Sequence, residues 1–232
     1  MLQEEAIKNK VELVGEISTD FTFSHKTYGE NFYSFVIRVK RLSNIYDCAV
    51  VTVAEKLMEA YEYKIGDTVA VKGQYRSYNN YSGVGNRLIL TVFAKEMSLI
   101  SDEEEYENSN YIYLNGFVCK EPVFRTTPFG REITDLLIAV NRTYNKSDYI
   151  PCIAWGCNAR LCSGVPVGSN VIITGRIQSR EYQKKIDETK TVTKTAYEIS
   201  ISHIELNDEN SQQSQKESLS HNSADSLADK FE

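Results

Sequence analysis

An internal duplication constrains the fold of this 232-residue chain more than any other feature of the sequence. Three segments of the first half recur in the second half, two of them 101 residues later and one 102 residues later. The pairs are residues 11–15 with 112–116, 28–41 with 129–142, and 66–77 with 168–179. Because this period is much longer than that of a solenoid repeat, the sequence predicts two copies of one small domain.

The boundaries of the two copies follow from the repeat and from the charge of the segments around it. We predict a first domain at residues 9–100, an acidic linker at 101–109, a second domain at 110–206 and a disordered polar tail at 207–232. The formal net charge is -6 for the whole chain, but it is +1 over residues 10–100 and +3 over residues 110–206. The acids therefore lie mostly in the linker and tail, and slightly basic domains are compatible with a polyanionic partner.

Each copy has the same order of predicted elements. In the first copy, alternating apolar residues predict strands at 11–17, 32–40, 48–53, 69–75 and 88–99, with a helix at 55–62. In the second copy, the strands are at 112–118, 132–141, 149–155, 169–177 and 196–206, with a helix near 158–163. Three strands, a helix and two strands is the order of the five-stranded Greek-key barrel called the OB-fold. The predicted fold class is all-β, with two tandem OB-fold barrels and one short helix in each, although the pattern leaves another small barrel open.

Residues that would indicate catalysis or a bound metal are sparse. The histidines His25, His203 and His221 are isolated, and no glycine-rich phosphate loop is present in the sequence. Three of the five cysteines follow a C-x4-C-x4-C spacing, which differs from the C-x2-C pairs of zinc sites. We therefore expect a non-enzymatic protein with no cofactor, no metal and no membrane segment, located in the cytoplasm and associated with the nucleoid.

Four motifs of the second copy occur in the order found in a known family. They are TPFG at 127–130, LIAVNRT at 137–143, YIPCIAWG at 149–156 and GRIQSREY at 175–182. In this arrangement the copy resembles the bacterial single-stranded DNA-binding protein family. The first copy resembles the family more weakly, through NKVELVG at 9–15, FVIRVKR at 35–41 and the strand around Gly73. The resemblance implies a homodimer, because two chains with two barrels each supply the four barrels that the family usually assembles.

The resemblance also implies positions at which aromatic side chains stack on bases. In the second copy these positions are Tyr144, Tyr149, Trp155 and Tyr182. A looser match in the first copy gives Tyr46, Tyr78 and Tyr81. Since residues 51–53 occupy the stretch equivalent to Trp155 and include no aromatic residue, we expect the second copy to contribute more stacking.

Basic residues near these positions are candidates for phosphate contacts, because Lys and Arg neutralise the nucleic-acid backbone. The candidates in the first copy are Lys40, Arg41, Arg76 and Arg87, and those in the second are Arg142, Lys146, Arg180, Lys184, Lys185 and Lys194. Many lie on or beside the hairpin between the fourth and fifth strands, which in OB-folds commonly helps to bind the ligand.

The final residues depart from the family pattern, in which an acidic tip containing Pro-Phe recruits repair and replication enzymes. Here the tip reads SLADKFE, without proline, and Leu227 and Phe231 are the candidate docking residues. The predicted function is non-catalytic, largely sequence-independent binding and protection of single-stranded DNA in replication, recombination or repair. The alternative is an OB-fold adaptor of a replication-restart complex that binds nucleic acid weakly, and the sequence leaves DNA and RNA equally open.

Overall fold

The computed structural model describes residues 7–41, 43–80, 88–100, 109–185 and 191–207. The first copy contains the strands β1 (Asn9–Ile17), β2 (Thr22–Thr27), β3 (Glu30–Lys40), β4 (Tyr46–Ala54), β5 (Thr68–Asn79) and β6 (Leu88–Leu99), and the helix α1 (Glu55–Met58). The second copy contains β7 (Asn110–Val118), β8 (Val123–Thr126), β9 (Glu132–Asn141), β10 (Ser147–Trp155), β11 (Asn170–Lys185) and β12 (Thr191–Leu206), and the helix α2 (Cys157–Ser163). Each copy therefore has the predicted order plus one additional short strand, β2 or β8.

Each copy closes into a barrel because five of its strands pair in a ring. In the first copy, β1 pairs with β3 and β5, β3 pairs with β4, and β5 pairs with β6, all antiparallel. A parallel pairing of β4 with β6 closes the ring. The same ring forms in the second copy from β7, β9, β10, β12 and β11. This is the strand order of the OB-fold, so the predicted fold class is confirmed.

Apolar residues at matching repeat positions fill the two barrels. Val11 and Leu13 on β1, and their counterparts Ile112 and Leu114 on β7, are at most 1% exposed. The matching alternation in both copies puts these side chains on the inner face of a strand, where each buried aliphatic side chain contributes roughly 1.5–3 kcal/mol. The alternation of the sequence therefore places the core correctly.

Glycine lets each barrel bend at the same place. Gly73 and Gly175 each lie at a register shift, between β5 and β6 and between β11 and β12 respectively. A Cβ on Gly73 would lie 2.1 Å from the carbonyl oxygen of Phe93, and one on Gly175 would lie 2.3 Å from that of Ser200. Any larger residue would push the paired strands apart, so the bulge requires glycine.

The structure differs from the predicted elements in two respects. The helix predicted at 55–62 ends at Met58, because Leu57 and Met58 pack on the core whereas Glu59 to Glu62 are exposed and gain nothing from another turn. The strands β2 and β8 were not predicted. Every residue in both is exposed, so neither has the alternation of buried and exposed side chains that identifies a strand.

One pair of strands joins the two barrels. β1 and β7 run antiparallel, from Asn9 opposite Leu114 to Leu13 opposite Asn110. Val11 pairs with its own repeat counterpart, Ile112, at the centre of this ladder. The barrels are therefore related by an approximate twofold axis through that pair, and one continuous sheet, β6-β5-β1-β7-β11-β12, crosses both.

Candidate nucleic-acid interface

The outer face of β10 carries two of the predicted stacking residues. Ile150 and Cys152 are buried in the barrel, whereas Tyr149 is 48% exposed and Trp155 is half-buried. Six residue-to-residue steps along the extended chain separate the two aromatic residues, which is about 20 Å at roughly 3.3 Å per step. This separation suits a surface that contacts several successive bases.

The other two predicted rings of the second barrel lie in the turn before this strand and on a different strand, β11. Tyr144, in the turn before β10, is 93% exposed and has a φ of 61°, and Asn145 follows with a φ of 54°. A bulky residue at positive φ is strained, and here the ring gains no compensating burial, a combination that is typical of ligand sites. Tyr182 is 36% exposed on β11, opposite Lys194 on β12.

In the first barrel, the described candidate rings each have an arginine over one face. Tyr46, at the start of β4, is 42% exposed and lies 4.8 Å from the guanidinium of Arg38. Tyr78, near the end of β5, is 38% exposed and lies 5.4 Å from the guanidinium of Arg142, which belongs to the second barrel. A ring with one face covered has only the other face for a base, which is why these two rings suit stacking less well. Tyr81 lies outside the described residues.

The register corrects the predicted counterpart of Trp155. Trp155 lies opposite Ile133, and the matching pair in the first barrel is Ala54 opposite Phe32. The counterpart is therefore Ala54, which comes just after the stretch at 51–53 that we had equated with it. The sequence alone left this offset uncertain, because no gap in the repeat marks where the strand ends.

The first barrel has aromatic residues of its own that sequence reasoning missed. The ring of Phe32 stacks on His25 of β2, with centroids 4.9 Å apart, and lies 5.6 Å from Phe93. Phe23, also on β2, is 61% exposed and its ring lies 6.0 Å from that of Tyr33. The run of aromatic residues in FTFSH at 21–25 was the available signal, but β2 was not recognised as a strand.

Two of the predicted phosphate contacts instead bind buried carboxylates. Arg142 donates through both arms of its guanidinium to Asp148, which is 1% exposed. Arg41 does the same to Asp47, which is 2% exposed. Both ion pairs are largely withdrawn from solvent, so these arginines have a structural partner where we had expected a phosphate.

Each of these carboxylates also reaches across to the other barrel. The backbone N–H of Ser77 donates to Asp148 over 2.6 Å, and that of Ser179 donates to Asp47 over 3.1 Å. The two serine hydroxyls in turn accept the N–H of Tyr149 and of Cys48, over 2.7 and 2.8 Å. The contact is therefore reciprocal, with each barrel supplying an Arg–Asp pair and a serine to the other.

The reciprocal contact is not fully symmetric. Asp47 binds a second arginine, Arg176, at 2.5 Å, whereas Gln74 stands at the matching position on the other side. Burial lowers the pKa of Arg176, and the nearby Asp47 opposes this shift. Sequence reasoning missed these carboxylates and serines, although their retention at the repeat spacing in both copies was a usable signal.

The remaining basic candidates have varied surroundings. Lys40 and Lys146 are exposed, and Arg180 is paired with Glu198 at 3.3 Å. Arg76 donates to Gln74 over 2.9 Å and its guanidinium lies 4.6 Å from the ring of Phe93. Lys194 is half-buried. Lys184 and Lys185 lie at the end of β11, and their side chains are outside the described part of the structure. The whole residues Arg87, Leu227 and Phe231 are outside it as well.

An open groove of about 1020 Å³ lies where the outer face of the first barrel meets the turn between β9 and β10. Its basic side chains are Lys8, Lys10, Lys72, Arg76, Lys95 and Arg142, and its acidic ones are Glu96 and Asp148. We had predicted only Arg76 and Arg142 among these. The lysines were missed because they are far apart in sequence, and strand pairing alone brings them to one surface.

The described part of the chain has neither a cluster of metal-ligand residues nor a membrane-spanning helix. There, no three His, Cys, Asp or Glu side chains are grouped to hold a metal ion, and neither helix is long and apolar enough to span a membrane. Burial raises the pKa of Cys152, and it raises that of Cys162 to about 11, so both thiols are protonated at neutral pH.

The barrels and their exposed rings define an OB-fold protein with a surface suited to unpaired bases. Residues 109–207 match the model of the single-strand binding protein family. The chain is 32% identical to single-stranded DNA-binding protein 3 of Streptococcus agalactiae over 96 residues, which cover 38% of this chain and 70% of that protein. We conclude that the chain belongs to the single-strand binding protein family.

Other relatives differ in how much of their length is matched. Identity to the single-stranded DNA-binding protein of Clostridium tetani is 29% over 133 residues, covering 52% of this chain and 91% of the relative. Single-stranded DNA-binding protein A of Bacillus subtilis is 30% identical but only 56% covered. The crystal structure of the wild-type single-stranded DNA binding protein from Thermus aquaticus superposes with a TM-score of 0.67 at 17% identity, covering 85% of this chain and 92% of that one. This last likeness supports the fold.

Proposed function

We propose that this protein binds single-stranded DNA, as the names of its relatives state for them, and protects it during replication, recombination or repair. The observation that carries the proposal is the outer face of β10, where Tyr149 and Trp155 lie at the surface of the barrel that matches the family. Tyr144 and Tyr182 extend the same set of rings. Base stacking on such rings contributes about 1–3 kcal/mol per base and is tolerant of sequence.

The chemistry of the surface supports binding without catalysis. A single strand exposes the faces of its bases, whereas a duplex hides them by stacking, so flat exposed rings favour the single strand. Exposed cations such as Lys40 and Lys146 can neutralise phosphates, which makes the affinity depend on salt. We propose no covalent step, since base stacking and phosphate contacts together account for this surface.

Two further parts of the proposal concern assembly and partners. We propose that two chains form a homodimer with four barrels, and native mass spectrometry would give the number of chains directly. We also propose that replication or repair proteins dock on Leu227 and Phe231. Deleting the last seven residues and repeating a pull-down from nuclease-treated lysate would test it.

The chain has one tryptophan, so its fluorescence reports on the proposed surface. Titration with oligothymidylate is expected to quench Trp155 because a base stacks on the indole ring. Oligouridylate and a duplex of equal length are the comparison ligands, and duplex DNA should quench least. Absence of both quenching and a mobility shift at low salt, with micromolar protein, would refute single-strand binding and favour the adaptor function.

A further inference from the structure

Each barrel has an end formed by its additional strand and its helix. We propose that the end carrying α1 in one chain docks on the end carrying α2 in a second copy, so that chains associate head to tail. The α1 end comprises residues 19–34 and 55–67, and the α2 end comprises their repeat counterparts, residues 120–135 and 156–168. This contact is between protein chains, so it can fail while the proposed strand binding stands.

Exposed aromatic rings occur at the same places on both ends. Phe23 on β2 and its counterpart Phe124 on β8 are 61% and 43% exposed. Tyr28 and its counterpart Phe129, at the tips of the two hairpins, are both more than nine-tenths exposed. Tyr28 also has a φ of 50°, which is strained for a bulky residue and is not offset by burial.

The barrel itself does not explain why these rings are present twice. Outward positions elsewhere differ between the copies, and Trp155, for example, has Ala54 as its counterpart. A ring that stays in solvent adds nothing to the core. Large apolar side chains grouped at the surface are typical of sites that contact another apolar surface. The repeated rings therefore indicate that both ends dock on a protein.

The rings of the α2 end lie on a different face from the one proposed to bind DNA. Phe124 is opposite Thr134, which is in turn opposite the buried Ala154, so Phe124 faces the inner side of the sheet. Trp155 comes one residue after Ala154 and is on the outer side. The hydroxyl of Thr134 donates to the carbonyl of Ala159 in α2 over 2.7 Å, which joins hairpin and helix in one surface.

The α1 end is built in the same way. Phe23 is opposite Tyr33, and their rings are 6.0 Å apart. The hydroxyl of Tyr33 donates to Glu55 of α1 over 3.0 Å. Hairpin and helix are therefore joined at this end as well, and the two ends have similar frames.

The charges of the two ends identify the partner. The α1 end has six acidic and three basic side chains, a net charge of -3, and the α2 end has three acidic and four basic ones, a net charge of +1. Asp20 and Glu59 at the α1 end are exposed and form no ion pair within the described residues, and the same holds for Lys120 and Arg131 at the α2 end. Two α1 ends would repel each other, whereas unlike ends attract, so the charges favour a head-to-tail contact with a second copy.

The topology lets one chain offer both ends at once. β2 is the first strand and β8 the last in the order of the sheet, on either side of the twofold axis through β1 and β7. Docking of unlike ends is a heterologous contact, because the two surfaces that meet are different. Each added chain then leaves one α1 end and one α2 end free, so association continues beyond two chains.

Charge reversal on either end tests the contact. Variant A, Asp20→Lys/Glu59→Lys, makes the α1 end basic, and variant B, Lys120→Glu/Arg131→Glu, makes the α2 end acidic. Sedimentation equilibrium of the full chain without DNA, at low salt and rising protein concentration, gives the average mass. The unmodified protein should grow beyond two chains, and each variant alone should associate about tenfold more weakly because like charges then face each other.

Mixing the two variants restores the complementarity. The basic α1 end of variant A fits the acidic α2 end of variant B, and the unchanged ends also fit, so an equimolar mixture should regain the mass of the unmodified protein. A charge-matched control, Glu96→Lys/Glu181→Lys, changes exposed residues outside both ends and should associate normally. Phe23→Ser/Phe124→Ser should weaken association without any change of charge.

Several results would overturn the head-to-tail contact. They are an unmodified protein that stops at two chains, variants A and B that grow as it does, a mixture that fails to regain mass, and a control that loses as much as the variants. Quenching of Trp155 by oligothymidylate should persist in variants A and B, because the ends lie off the stacking face. Loss of quenching in these variants alone would place DNA on the ends and would also overturn the contact. Loss in the unmodified protein would refute the proposed function and leave the contact between chains standing.

Discussion

The two barrels share one scaffold but differ in what they present to solvent. The second barrel has Tyr149 and Trp155 on its outer face, and the first has Cys48 and Ala54 at the matching positions. The four lysines that line the groove, by contrast, all belong to the first copy, and among the described residues only Lys10 forms an ion pair. After duplication, the inward residues kept their apolar character because the barrel must be filled, whereas the outward residues were free to diverge. In the proposed function, the second barrel supplies most of the rings and the first most of the free cations.

The contact between the barrels is present on both sides, and each side depends on the other. Asp47 and Asp148 both receive an arginine from their own barrel and a serine N–H from the other. A change on one side would leave a buried charge without its partner. The difference that remains is the additional arginine, Arg176, on Asp47.

The largest expected effect tests this shared contact. Asp47→Ala and Asp148→Ala should each lower the free energy of unfolding by about 3–5 kcal/mol, since removing one member of a buried ion pair leaves the other uncompensated. The loss should be greater for Asp47, which neutralises two arginines. Urea denaturation gives both values.

The control for these variants is Asp135→Ala. Asp135 pairs with Arg125 on the surface, with both side chains more than a third exposed, so its loss should cost about 0–1 kcal/mol. Equal losses for all three aspartates would show that the contact between the barrels adds nothing beyond a surface ion pair.

A smaller effect tests the unequal division of rings. Tyr149→Ala/Trp155→Ala should weaken oligothymidylate binding by about 1–3 kcal/mol per ring. Tyr46→Ala/Tyr78→Ala should weaken it less, because an arginine already covers one face of each ring. Fluorescence anisotropy of a labelled oligonucleotide measures both. If the first-barrel variant loses as much or more, the ranking of the barrels is wrong.

The smallest expected effect concerns the turn before β10. Tyr144 occupies a strained left-handed conformation that asparagine tolerates better, so Tyr144→Asn should stabilise the protein by about 1 kcal/mol. The same variant should weaken binding, because the exposed ring is lost. Thermal unfolding and the anisotropy assay give the two values. A variant with unchanged affinity would remove Tyr144 from the proposed interface.

Periodicity was a good guide to some elements and a poor one to others. The five ring strands of each barrel were predictable because one face of each is buried and the buried positions recur in both copies. β2 and β8 were not, since both pair at the edge of a barrel and every residue in them is exposed. The length of α1 depended on which residues reach the core, and that depends on how the barrel closes.

The site residues also differ in whether local sequence patterns predict their surroundings. The exposure of Tyr149 and Trp155 follows from alternation along β10, and the family resemblance identified both. The partners of Arg41 and Arg142 were missed, because local periodicity does not show that their carboxylates become buried when the barrels meet, and the retention of both aspartates in the repeat was the only sequence signal.

The sequence by itself determined the duplication and the barrel class, because these depend on residue type and local spacing. Only the tertiary structure decided which basic residues are held by buried carboxylates and which remain free. The pairing of β1 with β7 brings together residues that are far apart in the chain, such as Ser77 and Asp148, which are separated by 71 positions. This long-range contact decides which basic residues are paired with a carboxylate and which stay available to a ligand. No local sequence pattern contains that information.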